Sequence, residues 1–330
     1  MGFWSITPNI TLWDSIKSIW SQTSPPKLFE TRDMVTPVIV NIIFKKATFQ
    51  NAALYSEFLS KYFETGDVVS DVPLQMMSDG FLKGGWIGVE AISEGETLLG
   101  LIISKPVADF FSSEFPDAPL RNIGLVDYFC VAPEIRSKGV GTALLTHLHH
   151  TTRTEGRVGH IFASDSGNLF SRIPMFFHDI YIWREKNHES LRFALEIQRN
   201  YIFSESFVKE ILGKNGTGGK SFVAVNYGVP TDISYYIYNG RDFQIHILIK
   251  PTYEKKSGKN VGEILAAWTS GVNGDYIDII LDSIRDYDIF IAIHDVLPQS
   301  KSWKRGAPIG FYPFHFHPGA FDINNFLLLV

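Results

Sequence analysis

Val126-Asp127-Tyr128-Phe129-Cys130-Val131-Ala132-Pro133-Glu134-Ile135-Arg136-Ser137-Lys138-Gly139-Val140-Gly141 is the stretch that decides how this chain is read. Its first part is apolar on both faces apart from Asp127, as a central strand buried on two sides would be. Pro133 ends the strand. From Lys138 the period turns helical, with Val140, Leu144 and Leu148, and Ala143 beside them, on one stripe. Strand, tight turn, glycines and helix, in that order, set the free N–H groups of a helix start opposite the end of a buried strand. Those N–H groups and the helix dipole form an anion cradle. Gly139 and Gly141 keep side chains out of the way of a phosphate. Arg136 and Lys138 can add charge-assisted contacts at the rim. The expected ligand is a phosphate or pyrophosphate compound; a purely structural turn is the alternative. The spacing is neither G-x-x-x-x-G-K-[ST] nor G-x-G-x-x-G, which disfavours a P-loop nucleotidase and a dinucleotide fold.

Working outward, Trp86–Ile92 and Thr97–Lys105 read as a hairpin around Ser93-Glu94-Gly95-Glu96. Val38–Phe44 reads as a short strand. Gln50–Phe63 reads as a helix with Leu54, Phe58, Leu59 and Tyr62 on one stripe, and a further helix is placed near Leu74. Strands are expected at Val158–Phe162, Ser221–Val225, Ile233–Asn239, Phe243–Ile249 and Ile289–His294. Helices are expected over Leu191–Val208 and Asp275–Asp286, the latter with Ile277, Ile280, Leu281 and Ile284 on its stripe. Gly213–Gly219 is glycine-rich and reads as flexible. The apolar tail Phe326-Leu327-Leu328-Leu329-Val330 reads as an internal strand that runs to the last residue.

The chain has 330 residues, enough for two ordinary domains or one long one. Its 45% hydrophobic content supports a real core and argues against bulk disorder. The 26 Phe, 13 Tyr and 7 Trp suit a deep apolar cavity, but a large core uses the same residues. Thirty basic against 35 acidic residues, net charge -5, disfavours dedicated nucleic-acid binding. Cys130 is the only cysteine, so neither an intramolecular disulfide nor a Cys-built zinc site is expected, and no metal is implied. No run of 18 apolar residues marks a spanning helix, and the N-terminus carries no secretory pattern. A reducing, cytoplasmic setting is expected.

Arg136-x-x-Gly139-x-Gly141 after such a strand resembles the pyrophosphate signature of the GNAT superfamily of acyl-CoA-dependent N-acyltransferases. Phe129-Cys130-Val131 followed by Arg136-Ser137-Lys138 resembles, more narrowly, the Leu-Cys-Val and Leu-Arg-Ser-Lys segment of the N-myristoyltransferase family. Phe3-Trp4-Ser5-Ile6-Thr7-Pro8 resembles that family's Phe-Trp-x-Thr-Gln-Pro element, which helps hold coenzyme A. Leu98-Leu99-Gly100-Leu101-Ile102, Phe176-Phe177-His178, Leu265-Ala266-Ala267-Trp268, Asp288-Ile289-Phe290 and the tail follow further family segments in the correct order.

The resemblance implies an α/β fold with a mixed sheet, built as two tandem acetyltransferase-like units. Residues 1–185 would hold acyl-CoA, and residues 186–330 would bind the peptide and end in the catalytic C-terminus. The implied reaction moves a myristoyl group from myristoyl-CoA to the N-terminal glycine amine of a protein or peptide, in a monomer. Val330 would take the proton of that amine through its free carboxylate, although the same tail also fits a plain strand end. The backbone N–H groups of Tyr128 and Phe129 would stabilise the thioester oxygen, although both rings also fit a core. Phe3, Trp4, Cys130, Val131, Arg136, Ser137, Lys138, Gly139, Val140 and Gly141 would hold the acyl-CoA. Gly139 and Gly141 stand where the family has Arg and Ala, which is closer to the general acetyltransferase pattern. Asp127 replaces an Asn. The family's acidic Gly-Asp-Gly has no counterpart in Arg305-Gly306-Ala307-Pro308-Ile309-Gly310. A short-chain acetyltransferase is therefore the alternative, as is an acyl-CoA-binding homologue without turnover.

Overall fold

The structure is a computed structural model. It describes residues 27–28, 37–65, 68–69, 72–112, 117–157, 159–164, 177–187, 222–225, 233–240, 243–253, 258–270, 275–293, 297, 302–314, 316–317 and 326–329. Thirteen strands form one mixed sheet. In chain order the elements are β1 (Ile42–Lys46), α1 (Ala52–Tyr62), α2 (Leu74–Leu82), β2 (Ile87–Ser93), β3 (Leu98–Ser112), β4 (Leu120–Val131), α3 (Val140–Thr154), β5 (Gly159–Ser164), β6 (Phe177–Glu185), β7 (Phe222–Val225), β8 (Ser234–Asn239), β9 (Gln244–Tyr253), β10 (Asn260–Ser270), α4 (Asp275–Ser283), β11 (Ile289–Ile293), β12 (Lys304–Phe314) and β13 (Phe326–Leu329).

The main path through the sheet is β8-β9-β10-β11-β6-β12-β5-β4-β3-β7-β13, with β2 also on β3 and β1 on β2. Long β3 therefore serves two neighbours along one edge. Its first half pairs with β2 and its last residues pair with β7. Two stretches share one order of elements. Antiparallel β3–β4 leads through α3 to β5, parallel to β4. Antiparallel β9–β10 leads through α4 to β11, parallel to β10. A parallel neighbour requires a crossover, and the two amphipathic helices supply it.

The helical stripes behave as the periods predict. Val140, Ala143, Leu144 and Leu148 are buried on α3, and Ile277, Ile280, Leu281 and Ile284 are buried at α4. The stripe of α1 differs. Leu54 is exposed, and Ala52, Tyr55, Phe58 and Leu59 face the core. Tyr55 decides the rotation, because its phenol donates to Glu90 Oε2 at 2.6 Å and accepts from the Thr48 N–H at 3.1 Å. The first strand also starts later than its apolar residues predict. Val38 and Val40 are exposed, and left-handed Asn41 (φ 63) turns the chain into Ile42–Lys46. The tail forms β13, paired in parallel with β7 among the described strands. The expected helix at 191–208 and the glycine-rich 213–219 lie outside the described residues.

Candidate active site

The site is built at one end of β4. The parallel ladder of β4 and β5 runs from Ile123–Gly159 to Val126–Phe162 and stops, although the strands continue to Val131 and Ser164. One residue further along β4, the antiparallel ladder to β3 is interrupted. Asp127 pairs with Ile103, and the next pair is Cys130 with Leu101, so β4 carries one residue more than β3. This is a β-bulge. Tyr128 takes up the surplus with φ 49, a conformation that costs a bulky residue about 1–3 kcal/mol. Tyr128 and Cys130 pack in the cluster beneath α1 and α2. Phe129 turns to the other face and is 38% exposed; a Cβ on Gly141 would stand 3.1 Å from its ring.

Beyond the bulge the chain makes a 3-10 turn over Pro133–Ile135 and enters α3. Ser137 (φ 64) and Gly139 (φ 84) are both left-handed, separated by Lys138. Alternating backbone handedness curls successive N–H groups into a concave nest, and the first N–H groups of α3 join it. Arg136, Ser137, Lys138 and Gly139 are exposed, so the nest opens to solvent, and Val140 is the first buried residue behind it. The donor set fits a pyrophosphate. Arg136, however, does not point its guanidinium there. Nε donates to the Val131 carbonyl at 2.9 Å and an Nη donates to the Tyr62 carbonyl at 3.5 Å. It staples the turn to the end of β4 and to α1, and Lys138 is the exposed basic residue within the nest itself.

Under the bulge lies an ion pair. Lys105 Nζ is 2.9 Å from Asp127 Oδ2; the lysine is 4% exposed and the carboxylate 25%. The ammonium sits 4.8 Å from the Trp86 ring and 4.8 Å from the Tyr128 ring. The other carboxylate oxygen, Oδ1, accepts the Tyr128 N–H at 2.8 Å. Burial alone would push the Asp127 carboxyl up. The charges of Lys105 and Lys250 and the two hydrogen bonds outweigh it and hold the carboxyl below its ordinary range. Trp86 can lie flat over Lys105 because Gly80 has no side chain. A Cβ there would overlap the indole.

The structure brings Tyr128, Phe129, Cys130, Val131, Arg136, Ser137, Lys138, Gly139, Val140 and Gly141 together at the end of β4. Phe3, Trp4 and Val330 lie outside the described residues. Cys130 is buried, and burial pushes its thiol up to about 12 against a weaker pull from Arg136, so no thiolate is present at neutral pH. Of the two bulge N–H groups, that of Tyr128 is engaged by Asp127. Arg305–Gly310 lies on β12, where the register with β6 shifts between Arg305 and Pro308. Sequence reasoning missed Lys105, Trp86 and Gly80. The available signal was one lysine at the end of an apolar strand, opposite one aspartate in another.

Residues 52–172, from α1 past β5, match the acetyltransferase (GNAT) family. The mixed α/β architecture over these residues is consistent with a GNAT fold. No curated protein sequence matches the chain. Among solved structures, Saccharomyces cerevisiae N-myristoyltransferase with bound myristoyl-CoA is similar over 96% of this chain and 93% of that one, with a TM-score of 0.63 and 10% identity. A second structure of that yeast enzyme, with bound myristoyl-CoA and inhibitors, is similar over 88% and 84%, with a TM-score of 0.60 and 11% identity. At these identities the likeness shows the fold alone.

Proposed function

We propose that the protein is an acyl-CoA-dependent N-acyltransferase. One observation carries the reading. The parting of β4 from β5, the Tyr128–Phe129 bulge and the nest at Ser137–Gly141 follow one another along a single strand end. The nest and Lys138 would hold the pyrophosphate of coenzyme A. The edge of β4 beyond Val126 has lost its β5 partner and offers backbone groups to the pantetheine amides. Acyl-CoA supplies an activated thioester, whose oxygen gains negative charge as the acceptor amine attacks. The Phe129 N–H would meet that charge; one such donor commonly accounts for about 10²–10³ in kcat.

Within this reading we favour a short acyl donor such as acetyl-CoA. The matched family and the Arg136-x-x-Gly139-x-Gly141 spacing support it. So does the packing around Tyr128, where the rings of Phe63 and Trp86 lie 6.0 and 5.8 Å from its ring. A second reading, myristoyl transfer to an N-terminal glycine, is supported by likeness over nearly the whole chain to N-myristoyltransferase. There residues 1–185 would hold acyl-CoA, residues 186–330 would form the acceptor groove, and the Val330 carboxylate would take the glycine proton. Titration with acetyl-CoA and with myristoyl-CoA, followed by thiol release in the presence of amines and glycyl peptides, tests both. Comparable binding of the two donors with acetyl transfer supports the short-chain reading. Myristoyl-CoA binding tighter by orders of magnitude decides for the long chain, since roughly twelve further CH₂ groups each gain about 0.8 kcal/mol in an apolar pocket. Binding without product identifies a homologue that has lost turnover, and no binding removes the proposal.

A further inference from the structure

The buried Lys105 has no place in the acyl transfer as described, yet it sits within one side chain of the bulge. We propose that Lys105 is a positioning residue for that bulge: its ion pair holds the Asp127 carboxylate so that Oδ1 takes the Tyr128 N–H, which fixes Tyr128 left-handed and leaves the Phe129 N–H as the donor for the thioester oxygen. The inference deepens the acyltransferase reading and rests on it for its catalytic half.

The geometry forms a closed chain of contacts. Gly80 admits Trp86, Trp86 and Tyr128 flank the ammonium at 4.8 Å each, the ammonium holds Oδ2 at 2.9 Å, and Oδ1 holds the Tyr128 N–H at 2.8 Å. Tyr128 thus contacts the pair through its ring and through its amide. A left-handed aromatic residue persists only where its surroundings over-determine it, and here a charge-assisted hydrogen bond and a cation–π contact do so together. An Asn or Asp in the place of Asp127 could accept the N–H. Only the carboxylate also requires a cation, and β3 supplies it from the residue paired with Leu125, two before Asp127. Among the described residues, the charged groups that act on Asp127 are Lys105 from β3 and Lys250 from β9, and the Tyr128 ring lies against the same ammonium.

The test compares the full-length protein with Lys105→Met, with Lys105→Met/Asp127→Asn and with Lys105→Met/Asp127→Ala. The first leaves the carboxylate without its partner. The second keeps an acceptor for the Tyr128 N–H with no charge beneath the bulge. The third is equally uncharged but has no acceptor, so the two double variants share their charge, differ in the acceptor at issue and remain informative if the single variant does not fold. Hydrogen exchange of the Tyr128 amide, read by NMR, is expected to quicken at least ten-fold in Lys105→Met and in the Ala double variant, and to return within three-fold of wild type in the Asn double variant. For acetyl transfer, kcat is expected to follow the same order with the KM for acetyl-CoA within three-fold, and Lys105→Met alone is expected to gain an acid limb in its pH profile. Equal exchange rates in all four proteins would overturn the inference, as would a loss of acetyl-CoA binding in step with kcat. Absence of acyl-CoA binding by the wild type would instead remove the acyltransferase reading, while the exchange comparison still decides the role of Lys105 in the bulge.

Discussion

Gly124 and Arg157 share one space: a Cβ on Gly124 would stand 2.7 Å from Cδ of Arg157 and would overlap the Ser104 hydroxyl. The bare position on β4 lets the arginine cross the sheet face from the turn after α3. Its guanidinium then donates to the Ser104 carbonyl at 2.8 Å and to the Gly85 carbonyl at 2.9 Å. One side chain therefore ties β3 to the turn before β2, next to the residue that carries the ion pair beneath the bulge. Gly124→Ala is expected to lower stability by about 3 kcal/mol, since overpacking alone commonly costs 1–3 kcal/mol and the arginine also loses partners. Urea denaturation of the two proteins measures it; a change under 1 kcal/mol would mean that Arg157 has another route.

Gly139 is the opposite case, because space is not the constraint. The nearest atom to a Cβ there is Ile39 Cδ1 at 3.5 Å, an ordinary contact, but φ is +84. An alanine pays about 1 kcal/mol in that backbone region and draws the nest toward another shape. Gly139→Ala is expected to weaken acetyl-CoA binding about ten-fold while the melting temperature moves by only a few degrees. Isothermal titration and a thermal melt separate the two effects. Unchanged affinity would remove the nest from the ligand site.

His149 on α3 predicts an acid sensitivity. It is buried against Phe314, and burial, with smaller pushes from His150 and Arg153, lowers its pKa to about 4. In the unfolded chain a histidine takes its proton near 6.5. Between those values the unfolded state binds a proton that the folded state refuses, so stability falls as pH drops from 6.5 toward 4. The shift corresponds to roughly 3–4 kcal/mol across the whole window. Denaturation at pH 7.5 and 5.0 should show the loss in wild type and a smaller one in His149→Leu. The same slope in both proteins would assign the sensitivity to other groups.

The sequence made the elements with a clean period legible. The stripes of α3 and α4 and the hairpin of β2 and β3 follow from apolar spacing alone, because each buries one face against a continuous sheet. The nest was legible as well, since glycines between a strand and a helix have few other uses. What stayed hidden depends on register. β4 is apolar on both faces, so its alternation cannot reveal that a bulge shifts Tyr128 onto the face of Asp127. Leu54 misled for a related reason: its hydrophobicity outweighed Tyr55 in the pattern, but the Tyr55 hydroxyl had partners inside and so set the rotation of α1.

Arg184 gives the last prediction, on the other half of the sheet. It is 5% exposed on β6 and reaches α4, where Nη2 meets Asp282 Oδ1 at 2.5 Å and Nη1 meets Asp278 Oδ1 at 3.2 Å. The Asp282 oxygen also accepts the Asn187 N–H at 2.9 Å, so the pair fixes the chain just after β6 as well as the helix. A buried pair is costly to break from one side, because the remaining charge has lost its compensation. Arg184→Met leaves Asp282, itself 6% exposed, in that state and is expected to cost about 3–5 kcal/mol. Arg184→Met/Asp282→Leu removes both charges and is expected to recover most of the loss. Neither variant touches the nest or the bulge, so acetyl-CoA affinity of the folded protein should stay within two-fold. A single variant as stable as the wild type would show that water reaches Asp282, and the link between β6 and α4 would then rest on the apolar stripe of Ile277, Ile280 and Leu281 alone.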